Sequence, residues 1–303
     1  MLDAWGDDPV VAQTVLEAST ALQQDLGQLI RHGSKDELAL TSNTQPVMLV
    51  AGVAAYRAWM ARTGVAPSAV AGHSLGEYAA LVAAGVLTLS QAAPLVRLRA
   101  VAMQEAVPVG TGAMAAVLGL DPAKVVEICQ EVSQGFGASG TETVEAANFN
   151  DPSQTVISGS SAAVERACVA LKAAGARRAM LLAVSAPFHS SLMRPAAEKL
   201  RAALEELELR APQIALVNNV DVAVEVDADR LRDALYRQAF GPVRWVECVR
   251  ALKARGVGVV VECGPGKVLA GMVGRIDSEL TGLPLFDPTS LHAVQAALSE
   301  SAP

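Results

Sequence analysis

Ser74 lies in Gly72-His73-Ser74-Leu75-Gly76, between the short apolar run Ala69-Val70-Ala71 and a helix-forming stretch that opens at Leu75. A serine between glycines, after a strand and before a helix, is the pattern of a nucleophile elbow. There the chain turns sharply and the hydroxyl stands clear. Gly72 and Gly76 are expected to leave room for the turn and for helix to pack on strand. Amide N–H groups at the new helix start face the same spot, where they can stabilise an oxyanion. The bland alternative is an ordinary Gly-Ser turn.

A serine nucleophile needs a base. The chain has four histidines. His32 sits near a helix end beside Gly33, and His292 lies in the last helical stretch, so both read as peripheral. His73 adjoins the serine, but neighbouring side chains on a strand point to opposite faces. His189 is the candidate base. It follows a strand and the turn Ser185-Ala186-Pro187, between Phe188 and Ser190, where a side chain can be held at a sheet edge. A satisfied loop histidine is the alternative. Arg99 lies on a helix that begins near Ser90, and by residue type alone it reads as a solvated helix residue. Gly264-Pro265-Gly266-Lys267 lacks the spacing of a phosphate loop, with Val268 where a hydroxyl is needed, and reads as a structural turn.

The elements that must carry these residues follow from composition and pattern. In 303 residues, 51% are hydrophobic and 18% charged, enough apolar material for a large core. The net charge of −7 and the absence of a basic block argue against nucleic-acid binding. The four cysteines, Cys129, Cys168, Cys248 and Cys263, form no C-x-x-C pair and read as reduced thiols of a cytoplasmic protein. The apolar stretch Ala79 to Leu89 is too short to span a bilayer, and the amino terminus lacks signal-peptide character.

Helical spacing predicts one helix from about Pro9 to Ile30 and another opened by Pro46 after the polar loop Thr41 to Gln45. From Gly112 the texture changes. Strands at Ala113–Gly119, Val144–Ala147, Gln154–Ser158 and Ala179–Val184 alternate with helices at Pro122–Val132 and Ser161–Ala174, and Asn148 to Pro152 reads as a turn. That β-α-β-β-α-β order matches the ferredoxin-like plan. We expect an α/β fold: a three-layer hydrolase-like domain with a parallel sheet over residues 1–110 and 185–303, interrupted by a ferredoxin-like subdomain at 111–184.

Gly72-His73-Ser74-Leu75-Gly76-Glu77-Tyr78-Ala79-Ala80-Leu81 resembles the signature of malonyl-CoA:acyl carrier protein transacylases. Matches continue in order through Leu98-Arg99, Gly112 to Val117, Ala147 to Asn150, Pro187-Phe188-His189, Val217 to Val220, Arg237-Gln238 and Glu262 to Leu269. The resemblance covers nearly the whole chain. It implies that Ser74 is acylated, that His189 is the base and that Arg99 grips the free carboxylate of the malonyl group. It further implies that the Leu75 N–H is an oxyanion donor and that the Gln238 main-chain carbonyl orients the histidine, a Ser–His dyad without an acidic third member. Phe188 resembles the malonyl-type rather than the methylmalonyl-type transferases. Malonyl-CoA would be the substrate and acyl carrier protein the acceptor, with no metal or cofactor. The implied setting is type II fatty-acid synthesis, with polyketide synthesis as the alternative, for a cytoplasmic monomer. Lys172, Arg177 and Arg178, or Arg194 and Lys199, are candidates for docking an acidic carrier, against the bland reading of solvated helix faces.

Family members usually begin with an apolar strand and a Gly-Gln-Gly-Ser-Gln loop, whose first glutamine supplies a second oxyanion N–H. This chain starts at Met1-Leu2-Asp3-Ala4-Trp5. The resemblance therefore leads us to expect a late-placed start codon, or else a weakened relative that binds the carrier without catalysis. A third reading, an α/β-hydrolase esterase or thioesterase, predicts an Asp or Glu and then a His late in the chain. It leaves Arg99 without a role.

Overall fold

The computed structural model describes residues 1–135 and 142–300, so 136–141 of the expected subdomain and 301–303 lie outside it. The amino-terminal helix is divided into α1 (Pro9–Leu22) and α2 (Leu26–His32), because Gln23 takes a left-handed φ of 52° and Asp25 starts a new helix by accepting from the Gln28 N–H. Asp8 caps α1 in the same way, its carboxylate taking the Val10 and Val11 amides. After α3 (Lys35–Ala39), α4 (Thr41–Thr63) begins ahead of Pro46 rather than at it. Its opening turn is held by the Leu40 carbonyl, which accepts from Asn43 and Thr44 and lets the proline sit inside the helix.

The elbow segment gives β1 (Ala69–Ala71) and α5 (Gly76–Ala83), followed by α6 (Leu89–Glu105), whose Thr88 and Gln91 form a capping box. Next come β2 (Gly112–Leu118), α7 (Pro122–Gln134), β3 (Val144–Asp151), β4 (Gln154–Ser160), α8 (Ser161–Ala173) and β5 (Arg178–Leu181). The remainder is α9 (Arg194–Glu205), β6 (Ala215–Val217), α10 (Ala228–Gln238), α11 (Trp245–Ala254), β7 (Val259–Cys263), α12 (Ala270–Ile276), β8 (Thr281–Leu285) and α13 (Pro288–Glu300).

Strands β2 to β5 form one antiparallel sheet in the order β3-β4-β2-β5. Strand β3 runs through the stretch expected to turn, and only Pro152-Ser153 separates it from β4. Asn148 and Asn150 are weak strand formers. Here the segment gains a second partner, since Phe149 donates to the Val243 carbonyl and Val243 donates to that of Ala147. This pairing ties the antiparallel sheet to the rest of the chain.

Parallel pairing occurs as β1 with β6 and as β7 with β8, two two-stranded sheets. Alternate residues face opposite cores, as strand geometry requires. Val70 packs with α4, α5 and α6 while Ala69 and Ala71 pack with α11 and α12. Val260 and Val261 divide in the same sense, Val261 meeting Ala54 and Ala55 of α4. Among the described residues no helix is long and apolar enough to cross a membrane. The four cysteines are free thiols, three of them buried.

Candidate acyl-transfer site

Ser74 has a φ of 52°, a left-handed conformation that costs a serine on the order of 1 kcal/mol and persists only where surroundings impose it. The approach of α5 imposes part of it. A Cβ on Gly72 would stand 1.9 Å from the Gly76 carbonyl carbon, so the turn needs glycine at 72. Gly76 differs from expectation: a Cβ there meets open space. Of the amides at the elbow, Gly76 donates to His73 and Glu77 to Ser74, and the Ser74 N–H donates to Asn219 Oδ1 at 2.7 Å. Of the amides at the new helix start, Leu75 to Glu77, that of Leu75 makes no such bond, and Leu75 lines the cavity beside the serine.

The Ser74 Oγ is 2.6 Å from His189 Nε2. His189 also has a left-handed φ, 59°, in a turn where Ser190 Oγ donates to the Pro187 carbonyl. Its Nδ1 faces two main-chain carbonyls, Gln238 at 3.0 Å and Gly241 at 3.2 Å. Carbonyls only accept, so Nδ1 carries the hydrogen and Nε2 presents a lone pair to the serine. Burial first, and then the charge of Arg99 and nearby His73, push the His189 pKa down to about 3, which keeps the ring neutral.

Arg99 is 2% exposed, and its hydrogen-bond partners are all uncharged. Nη1 donates to Gln45 Oε1 at 2.6 Å, while Nη2 donates to Gln238 Oε1 at 3.1 Å and Ser74 Oγ at 3.2 Å. The guanidinium stands over the Tyr78 ring, and its Nε is buried without a partner. The Glu77 carboxylate attracts it electrostatically but does not bond it, and a buried cation without a bonded anion is costly. The arrangement can accept a small carboxylate beside the serine. Thr41, Thr44, Gln45, His73, Ser74, Leu75, Arg99, Met103, Met114, Asn148, Phe188 and His189 line an open cavity of about 270 Å³ there. Among the described residues no three His, Cys, Asp or Glu side chains converge as metal ligands would. A larger groove of about 630 Å³, between α1 and α2, contains no serine–histidine pair.

An acyl transferase domain model matches residues 3–277. The malonyl CoA-acyl carrier protein transacylase of Escherichia coli (strain K12) is 49% identical over 293 residues, 97% of this chain and 93% of that protein. The chain belongs to the malonyl-CoA:acyl carrier protein transacylase family. Among solved structures of the family, the acyl-carrier-protein S-malonyltransferase of Burkholderia pseudomallei 1710b is 56% identical, with a TM-score of 0.93 over 97% of this chain and 94% of that one. A malonyl-transacylase in complex with its type II PKS acyl-carrier protein is 49% identical, with a TM-score of 0.92 over 96% and 92%.

Ser74, His189, Arg99, Leu75 and Gln238, the residues that the family resemblance singles out, thus come together in this transacylase fold although they are spread over the chain. Gln238 does more than expected, because its side chain joins Arg99 as well as its carbonyl joining His189. Strand alternation misplaces His73. Strand β1 ends at Ala71, so neither residue belongs to it and both side chains line the cavity, where His73 Nε2 bonds Asn150 Oδ1 at 2.8 Å across to β3. Gln45, Glu77 and Asn219 were not read from sequence as part of the site. The available signal was Glu77, an acidic side chain at the head of an apolar helical stretch; Gln45 ends the polar run Thr41 to Gln45 and gave none. Of the docking candidates, Lys199 is paired with Glu105, and Arg194 lies over Phe240 at 4.4 Å.

Proposed function

We propose that this protein moves the malonyl group of malonyl-CoA to the phosphopantetheine thiol of acyl carrier protein through a malonyl ester on Ser74. One observation carries the reading. A buried arginine with an unpartnered Nε and no carboxylate partner touches a serine that is itself hydrogen-bonded to a neutral histidine. The free carboxylate of a malonyl group supplies the missing anion, and its planar match to guanidinium selects malonyl over acetyl.

In the first half-reaction His189 Nε2 takes the Ser74 proton as Oγ attacks the thioester carbonyl. The Leu75 N–H bonds the oxyanion, and the proton passes to the departing thiolate of coenzyme A. The carrier thiol then enters, gives its proton to His189, attacks the ester and leaves with the malonyl group while Ser74 is reprotonated. A hydrolase of the triad type would have a carboxylate on Nδ1, where this chain has two carbonyls.

The α/β architecture is read as a three-layer hydrolase-like unit of residues 1–110 and 185–303, with 111–184 as an inserted ferredoxin-like subdomain. The order β3-β4-β2-β5 with every pairing antiparallel supports the latter. We place the protein in the cytoplasm as a monomer, without metal or cofactor. Intact-protein mass after mixing with malonyl-CoA tests the function. A malonyl adduct on the wild type, absent in Ser74→Ala and reduced in Arg99→Ala, is expected. A wild type that binds carrier but never carries an adduct would show a binding protein instead.

A further inference from the structure

The peptide groups on both sides of Ser74 are held by the side-chain amides of two residues, and both residues hydrogen-bond one carboxylate, Asn219 through its main-chain N–H and Gln238 through its side chain. Asn219 Oδ1 accepts the Ser74 N–H at 2.7 Å, and its Nδ2 donates to the Gly72 carbonyl at 2.7 Å. Gln238 Nε2 donates to the Ser74 carbonyl at 2.8 Å. Glu77 Oε2 accepts the Asn219 main-chain N–H at 2.9 Å and Gln238 Nε2 at 3.3 Å. Glu77, Asn219 and Gln238 are all 1% exposed or less.

A left-handed serine persists only where its surroundings over-determine it. Gly72 supplies the room, and the two amides supply the restraint. Glu77 lies on α5 one turn after the serine but does not line the cavity, so it has no contact with substrate there. Burying a carboxylate is costly unless donors converge on it, and the donors converging on Glu77 belong to the residues that restrain Ser74. We infer that Glu77 is a positioning residue: through Asn219 and Gln238 it holds Ser74 in its left-handed conformation with Oγ aimed at His189 Nε2. The inference rests on the reading of Ser74 as nucleophile. The same network occupies the Ser74 N–H, which Asn219 holds, and so withdraws it from an oxyanion.

Two substitutions at 77 separate position from charge. Both hydrogen bonds end on the same oxygen, Oε2, so the single amide oxygen of Glu77→Gln can accept both, whereas Glu77→Leu accepts neither. Asn219→Ala removes the grip one step closer to the serine. The measurements are the single-turnover rate of Ser74 malonylation at saturating malonyl-CoA, the KM for malonyl-CoA, and Tm. Misplacing a reacting group by an ångström costs about 100-fold in rate. We therefore expect Glu77→Leu and Asn219→Ala to acylate about 30- to 100-fold more slowly, with KM changed less than about 3-fold, and Glu77→Gln to stay within about 3-fold of the wild-type rate.

A glutamine variant as slow as the leucine variant would make charge, not position, the role of Glu77 and overturn the inference. So would a rise in KM with the rate intact. If Glu77→Leu does not fold, Asn219→Ala decides alone: slow acylation at unchanged KM supports the inference and a wild-type rate overturns it. A wild type that forms no adduct defeats the reading of Ser74 itself. A normal wild-type adduct, formed equally fast by both disruptive variants, defeats only the role of Glu77.

Discussion

Arg99 Nη2 lies 3.2 Å from the Ser74 hydroxyl oxygen and 3.1 Å from the side-chain oxygen of Gln238, the residue whose main-chain carbonyl accepts from His189. One guanidinium edge is therefore shared between the nucleophile and the residue that orients the base. In the proposed reaction, recognition of the malonyl carboxylate and attack on its thioester happen within a single hydrogen-bonded network. Low dielectric makes each of its members matter more than the same bond in water.

Replacing Arg99 by lysine keeps a charge and loses the planar fork. An ammonium cannot reach Gln45 and Gln238 while offering two parallel donors to a carboxylate. Arg99→Lys is expected to lower kcat/KM for malonyl-CoA by about 10- to 100-fold, or about 1.4–2.7 kcal/mol of transition-state binding. Steady-state kinetics with equal values for the two side chains would show that charge alone suffices.

His189 acts as a base only when neutral, and its pKa is pushed down to about 3 from the ordinary 6.5. Acylation should accordingly stay level between about pH 7 and pH 5, where a free imidazole takes up a proton, and fail only at more acid pH. Single-turnover rates across this range are the check. A tenfold fall centred near the ordinary imidazole value contradicts the assignment.

The two glycines of the elbow should respond differently. Gly72→Ala drives a Cβ to 1.9 Å from backbone, which nothing can relieve without undoing the turn, so soluble yield and Ser74 acylation are expected to be lost. Gly76→Ala adds a methyl in open space at the start of α5, where alanine is the better helix former by up to about 1 kcal/mol. Its Tm should equal or exceed that of the wild type. A Gly76→Ala chain that melts as early as Gly72→Ala would refute the distinction.

Stability should carry two opposed pH dependences from the site. Burial raises the Glu77 pKa from 4.5 to about 7, so between those values the folded state holds the extra proton and stability declines as pH rises. His189 is lowered from 6.5 to about 3, so between those values the unfolded chain holds the extra proton and stability grows as pH rises. Glu77→Gln removes the first dependence and keeps the second. The stability of Glu77→Gln minus that of the wild type, from denaturant titrations, is thus expected to increase from about pH 4.5 to pH 7. Parallel curves would mean that the Glu77 proton does not differ between the two states.

The sequence by itself determined the local features. Glycines around Ser74 mark a strand-to-helix turn because only a residue without Cβ tolerates the backbone that crosses it at 72. The helix from Pro122 starts where sequence places it because Asp121, a short carboxylate, reaches the amides just beyond it; the new start that Asp25 makes inside the single helix expected over Pro9 to Ile30 was not read. The alternation of strands and helices from Gly112 to β5 follows from apolar periodicity, a property of adjacent residues. Tertiary structure decided what depends on residues distant in the chain. Strand β3 extends through two asparagines because Val243, far along the chain, pairs with it. His73 shares a cavity with Ser74 because strand β1 ends at Ala71, before either residue, which period-two reasoning cannot register. Whether Arg99 faces solvent or the nucleophile, and whether Glu77 is a solvated helix acid or the anchor of two amides, is settled by burial. The sign and cost of a charge depend on what surrounds it, and those surroundings come from β1, β6, α6 and α10, which only the folded chain brings together.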